Sequence, residues 1–346
     1  MNDTFTYPSH THENSVRVSD FSRNLARGFQ LLVLISTVLV IAGLFVRPDE
    51  TELVLWSIII PLLPASFLIS PALWRAVCPL ATLNMLGNGA VSRRRIGKTD
   101  LFRAEVIGIT LLIILVPARR FILNENGVVL GSLIAVIAVA SLVLGLFYAS
   151  KAGFCNSICP VLPVEKLYGQ HPLLSIKNPR CVPCDACTLK GCYDLGPEKA
   201  VVFALRGNGT VRPKWKTTAF GLFAAGFPGF IIGYFTVENT ALALGPNIYA
   251  QILGYMLISG VLFHGAFFLM RSRIDLAVLF LGTLSVTLYY WYSGPAIATA
   301  FDLDPAVGTG IRVITLMLVS VWAIRALWTL ISEANSPQAA HHPSSH

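Results

Sequence analysis

Long apolar runs separated by short polar stretches set the architecture of this chain. After a polar opening segment, 1–27, an apolar run covers 28–46. Comparable runs cover 53–73, 101–118, 127–149, 217–236, 249–270, 275–292 and 310–331. Roughly 20 helical residues, at about 1.5 Å each, cross a hydrocarbon layer of about 30 Å. Lipid offers the backbone no hydrogen-bond partner, so such runs fold as helices. The pattern predicts an all-α integral membrane protein of about eight transmembrane helices with one cysteine-rich cytoplasmic insertion. Pro61 and Pro64 predict a bend in the second span. Arg103 and Glu105, at the start of the third, make it the weakest of the eight.

Composition fits this picture, since 54% of the 346 residues are hydrophobic and 13% charged, too apolar for a soluble domain. A net charge of +8 raises the question of nucleic acid, yet no basic face is interleaved with aromatics. The charges are sorted by loop instead. Of the 26 Lys and Arg, 22 lie in 1–27, 74–104, 150–216, 271–274 and at Arg325. The opposite loops carry Arg47, Arg119, Arg120 and Arg312. The positive-inside bias then puts both termini and both cysteine-bearing loops in the cytoplasm, with the spans in the inner membrane. No cleavable signal peptide is expected, because the opening is polar and the first run is long enough to span. The chain divides into a cytoplasmic tail (1–27), a four-helix membrane half (28–149), a cytoplasmic loop (150–216), a second four-helix half (217–331) and a disordered tail (332–346).

The candidate chemistry lies in the cysteines. Seven of them, in tight clusters, argue against a secreted disulfide framework and for metal ligation in a reducing compartment. Cys181, Cys184, Cys187 and Cys192 stand in C-V-P-C-D-A-C-T-L-K-G-C. Two-residue gaps let one loop wrap three corners of a cubane cluster, with the fourth reached from just beyond. Lys177, Arg180, Lys190 and the backbone at Gly191 supply the positive surroundings thiolates need. Structural zinc, the alternative, usually takes cysteine pairs a dozen or more residues apart.

Cys155 and Cys159, in F-C-N-S-I-C-P, are four apart. A helix continuing from the fourth span would place them one turn apart on one face, with Pro160 ending it. Cys78 stands in a second Cys-Pro, W-R-A-V-C-P. The stretches W-R-A-V-C-P-L-A-T-L-N-M-L-G and C-N-S-I-C-P-V-L-P-V-E-K-L-Y-G each follow a pair of spans and end at glycine. They read as an internal repeat, with both Cys-Pro sites at the cytoplasmic mouth of a two-fold arrangement of helix pairs. Three thiols there would serve three corners of a second cluster. Its fourth ligand is left open between water, a substrate, a partner's residue and Cys192. Small buried hydrophobes or a redox thiol pair are the plainer alternatives.

Together, Cys-x-x-x-Cys-Pro at a helix end and the following Cys-x-x-Cys-x-x-Cys loop resemble the NapH-type membrane ferredoxin family. That group includes the quinol dehydrogenase component of periplasmic nitrate reduction, the regulator-like protein of nitrous oxide reduction and the methylamine-utilisation ferredoxin. The resemblance covers roughly residues 30–200. It implies electron transfer between a membrane quinone and a redox partner through [4Fe–4S] clusters, Cys155, Cys159 and Pro160 forming the membrane motif and Cys181, Cys184 and Cys187 the ferredoxin triplet. The chain departs from the family pattern in having one ferredoxin motif rather than two. Cys192 comes after four residues and precedes Tyr193 rather than proline, and Trp74 stands where a cysteine would precede Cys78.

Other residues add little chemistry. His10 and His12 lie on a solvated tail. His264 is the sole histidine in any apolar run, so a haem with two axial histidines is not expected, and it reads as a hydrogen-bonded core residue. Tyr289, Tyr290, Trp291 and Tyr292 read as an interfacial belt rather than a quinone pocket, and Arg325 as a side chain snorkelling to the cytoplasmic surface. Phosphate loops, serine triads and carboxylate pairs are absent. The expected function is an electron-transfer subunit that works in a larger complex with quinone, since no substrate pocket is evident. Its rivals are a maturation factor that uses cluster and thiols to reduce or deliver a metal to a partner enzyme, and a zinc-stabilised membrane scaffold.

Overall fold

The computed structural model describes residues 20–87, 90–92, 94, 96–148, 151–174, 218–269 and 274–335. These residues are all-helical. In order the helices are α1 (Asp20–Val46), α2 (Pro48–Ile69), α3 (Pro71–Val77), α4 (Pro79–Gly87) and α5 (Lys98–Ala118, continued by a π-helical turn to Leu123). Then come α6 (Gly127–Phe147), α7 (Leu162–Tyr168), α8 (Ala219–Thr236), α9 (Gly245–Leu269), α10 (Ile274–Ala300) and α11 (Pro305–Asn335). Eight of them, α1, α2, α5, α6 and α8 to α11, are long and apolar enough to cross a membrane. They coincide with the eight apolar runs.

The irregularities have local causes. Leu55–Ile59 of α2 winds as a π-helix just ahead of Pro61, which has no N–H to give the turn. Ser70 precedes Pro71 and is extended (φ −164°, ψ 106°), which separates α2 from α3. Cys78 precedes Pro79 and leaves α3 in the same way (φ −58°, ψ 126°). The ring of a following proline excludes the helical region for both residues.

The short helices α4 and α7 follow the two Cys-Pro pairs and fold back onto long ones. Asn84 Nδ2 on α4 donates to the Ser141 carbonyl of α6 (2.8 Å), and Ser141 Oγ donates to the Leu80 carbonyl (2.7 Å). The helices nearly touch there: a Cβ at Gly145 would stand 2.1 Å from the Asn84 oxygen. Every residue of α7 except Val164 is buried. Its Lys166 Nζ lies 2.6 Å from Glu105 Oε1 on α5, with both side chains buried. The pair neutralises Glu105, one of the two charges that made the third run look weak; the other, Arg103, is exposed and stands 3.7 Å from Asp100.

On the other side of the bundle, α8 is the central helix, 72% buried where α1 is 6%. It approaches α9 through small residues, and a Cβ at Gly229 would stand 2.1 Å from the Tyr255 oxygen. Close backbone approach of this kind is how helices gain packing energy in lipid. Phe223, Phe227 and Phe230 of α8, with Tyr168 and Trp322, form the largest core cluster.

Three expectations are corrected. Cys155 and Cys159 do not continue the fourth span: α6 ends at Phe147, Tyr148 is extended, and 151–158 is a run of turns. Tyr290 does not sit in an interfacial belt; it is 2% exposed and donates to the Pro61 carbonyl (2.9 Å). Trp291 alone of the four is exposed, with the Arg312 guanidinium 4.3 Å over its ring. The third correction, a pocket inside the bundle, is described below. His264 Nδ1 lies 2.8 Å from the Gly260 oxygen, and the exposed Arg325 donates to the Leu173 carbonyl.

Candidate functional site: a thiol-walled apolar cavity

Cys78, Cys155 and Cys159 meet in one cluster with Ala81, Phe154, Ile137 and Leu144. Leu144 and Ile137 stand three and ten residues before the end of α6, so the thiols lie about 5–15 Å inside that helix end. The returning turns put them there. Asn156 N donates to the Lys151 oxygen (3.0 Å), Cys159 N to the Phe154 oxygen (3.1 Å), and Leu162 N to the Cys159 oxygen (3.1 Å), which leads into α7. Thr82 N donates to the Cys78 oxygen (2.9 Å), closing the first turn of α4.

Arg75 ties the pieces together from α3. It is 3% exposed; Nη2 donates to Asn156 Oδ1 (2.6 Å) and Nε stands 3.8 Å from Glu165 Oε1. Its charge favours thiolates, but burial outweighs it. Burial pushes the Cys78 thiol up, and burial with the neighbouring Cys159 pushes Cys155 well up. Burial, then Cys78, pushes Cys159 up to about 12. On their own these thiols are neutral at neutral pH.

The donor set decides what the thiols suit. Among the described residues, no group of three or more His, Cys, Asp or Glu side chains could hold a single metal ion. A tetrahedral zinc draws its thiolates within bonding distance of one centre. A cubane spreads its thiolate ligands over separate iron corners and is stabilised by a nearby cation. Cys78, Cys155 and Cys159 share one cluster, and Arg75 acts on all three. Cys181, Cys184, Cys187 and Cys192 lie outside the described residues.

The three cysteines also form one wall of a cavity of about 560 Å³, which the sequence did not announce. Arg75 and Glu165 share the cysteine end. The middle is apolar, walled by residues such as Leu63, Leu115, Leu133, Ile134 and Phe230. The other end is lined by Trp56, Arg119, Tyr234, Tyr289 and Ser293. The lining runs from Leu112 to Leu123 along α5, about 16 Å at the helical rise. Sequence reading missed this chamber because its lining is spread over α1, α2, α5, α6, α8 and α10, which are far apart in the chain. The signals that pointed to it were Arg119 at a span end and Tyr289 within a span. No family of known proteins, no curated protein and no solved structure matches this chain.

Proposed function

We propose that this chain is a membrane iron–sulfur electron-transfer protein, exchanging electrons between a quinone in the cavity and a redox partner in a larger complex. One observation carries the reading. Two Cys-Pro segments far apart in sequence deliver three thiols to one wall of an apolar chamber inside the bundle. Cys78, Cys155 and Cys159 would hold one cluster, with Cys181, Cys184, Cys187 and Cys192 holding another. A [4Fe–4S] cluster, when bound, supplies one-electron chemistry and the positive charge these buried thiols lack.

The protein's own residues do the rest. Arg75 brings a fixed cation to the thiols and is oriented by Asn156 and Glu165. The Lys166–Glu105 pair pins α7, and with it Glu165, to α5. The apolar walls exclude water and suit an isoprenoid tail, as in other largely preformed ligand chambers. The basic loops favour a cytoplasmic cysteine end in an inner membrane, within reach of a soluble partner. Thiols that face an apolar chamber suit electron exchange better than handing a metal to another protein's surface.

The test is iron and acid-labile sulfide per chain in anaerobically purified protein, with absorbance at about 400 nm that dithionite bleaches. About four irons mean one cluster, about eight mean two. Bleaching by a short-chain quinol separates electron transfer from maturation. A colourless, zinc-containing protein would overturn the reading.

A further inference from the structure

The end of the cavity away from the cysteines has a different character. Arg119 lies about one turn from the end of its span, Thr99–Leu123, and lines the chamber. Among the described residues it makes no ion pair within 4 Å. Its Nη1 donates to the Tyr234 hydroxyl (2.6 Å), and the guanidinium lies 4.4 Å over the Trp56 ring. Neighbouring Arg120 is spent otherwise: it donates to the Tyr234 carbonyl and to Asn239 Oδ1 and stacks on the Tyr234 ring. Glu52 feels the Arg119 charge but stands beyond 4 Å.

Two more polar groups at this end are unmatched. Trp56 Nε1 and Ser293 Oγ are buried with no hydrogen-bond partner among the described residues, and Ser293 is 4% exposed. A guanidinium carries five donors and an indole one, and the Tyr234, Tyr289 and Ser293 hydroxyls each add a donor as well as acceptor lone pairs. No anionic acceptor lies within 4 Å of the Arg119 guanidinium among the described residues. Buried donors left unmatched are costly, and here Arg119 turns into the chamber beside one of them, Trp56 Nε1, rather than away from it. A ligand that supplies negatively charged oxygens here, and apolar surface along about the next 10 Å of chamber, would satisfy both.

We propose that the Arg119 end is a separate oxyanion site for the head group of a single-chain membrane amphiphile, carboxylate or phosphate, whose tail lies along the apolar chamber toward the cysteines. The site goes beyond the electron-transfer reading and needs neither metal nor electrons, so protein devoid of iron serves equally to test it. The tail would occupy space a quinone also needs, so the two ligands compete.

The experiment uses the full chain in detergent and a chain-brominated fatty acid that quenches tryptophan fluorescence, since Trp56 and Trp74 line the chamber. Competitors are the unlabelled acid, a monoacyl glycerol phosphate, the fatty alcohol of equal length, inorganic phosphate and a short-tailed benzoquinone. The acid or the lysophosphate should compete at least about tenfold better than the alcohol, as charge-assisted hydrogen bonds predict. Their ranking assigns the head group. Arg119→Gln should erase the difference. Leu115→Phe, which narrows the chamber without touching either polar end, should keep it while shifting preference to shorter chains; this checks the site even where Arg119→Gln fails to fold. Equal competition by the alcohol, displacement by inorganic phosphate at equal concentration, preference for the benzoquinone, or an unchanged Arg119→Gln would each overturn the proposal.

Discussion

The two ends of the cavity are built on opposite plans. The cysteine end comes from chain that leaves a helix, turns back and re-enters: the Cys-Pro segments with α3, α4 and α7, held by buried charges. The arginine end is made by long helices alone, from one or two side chains each on α2, α5, α8 and α10. The first plan concentrates its chemistry in short motifs and costs stability, because buried ions must be paired. The second spreads its chemistry over the fold and adds no irregular backbone beyond the π-turns at Leu55–Ile59 and Arg119–Leu123. A perturbation aimed at one end should therefore leave the other largely intact.

The largest expected effect is on the ion pair that anchors α7. Lys166→Met strands a buried Glu105 and should cost about 3–5 kcal/mol in denaturant unfolding, while Glu105→Leu with Lys166→Met recovers most of it. The single variant should lose iron yet keep amphiphile binding; loss of both together would break the comparison. Thiol reactivity comes next. With Cys159 pushed up to about 12, its alkylation in iron-free protein at pH 8 should run much slower than that of an ordinary thiol, at least about tenfold. Because the shift is upward, the rate should climb as pH rises toward that value, read by mass spectrometry of the labelled peptide. A smaller effect follows from the α4–α6 crossing, where a Cβ at position 145 meets backbone. Gly145→Ala should cost about 1–3 kcal/mol and lower iron per chain by moving Cys78 away from Cys155. Smallest is Tyr290→Phe, which removes one hydrogen bond to Pro61 from between the two ends. It should cost about 1 kcal/mol of stability and change neither iron content nor amphiphile binding.

Much of this protein is a one-dimensional code. Membrane spans answer to the summed hydropathy of about 20 consecutive residues, a property of the chain before it folds. For that reason all eight runs reappear as long apolar helices, and the seven cysteines could be singled out by spacing. What spacing could not supply was direction. Cys155 and Cys159 look helical by their interval of four, yet the chain turns after Phe147, and Arg75, Asn156 and Glu165 hold the returning segment inside the bundle. Nor could periodicity supply the cavity: an apolar residue facing outward and one facing a hollow read alike, as the exposed Ile114 and the cavity-lining Leu115 do. Only the crossing of α2, α5, α6, α8 and α10 decided that these faces leave a space and that Arg119 lines one end of it. A void, like a buried charge pair, is a relation between distant residues and has no local signature in sequence.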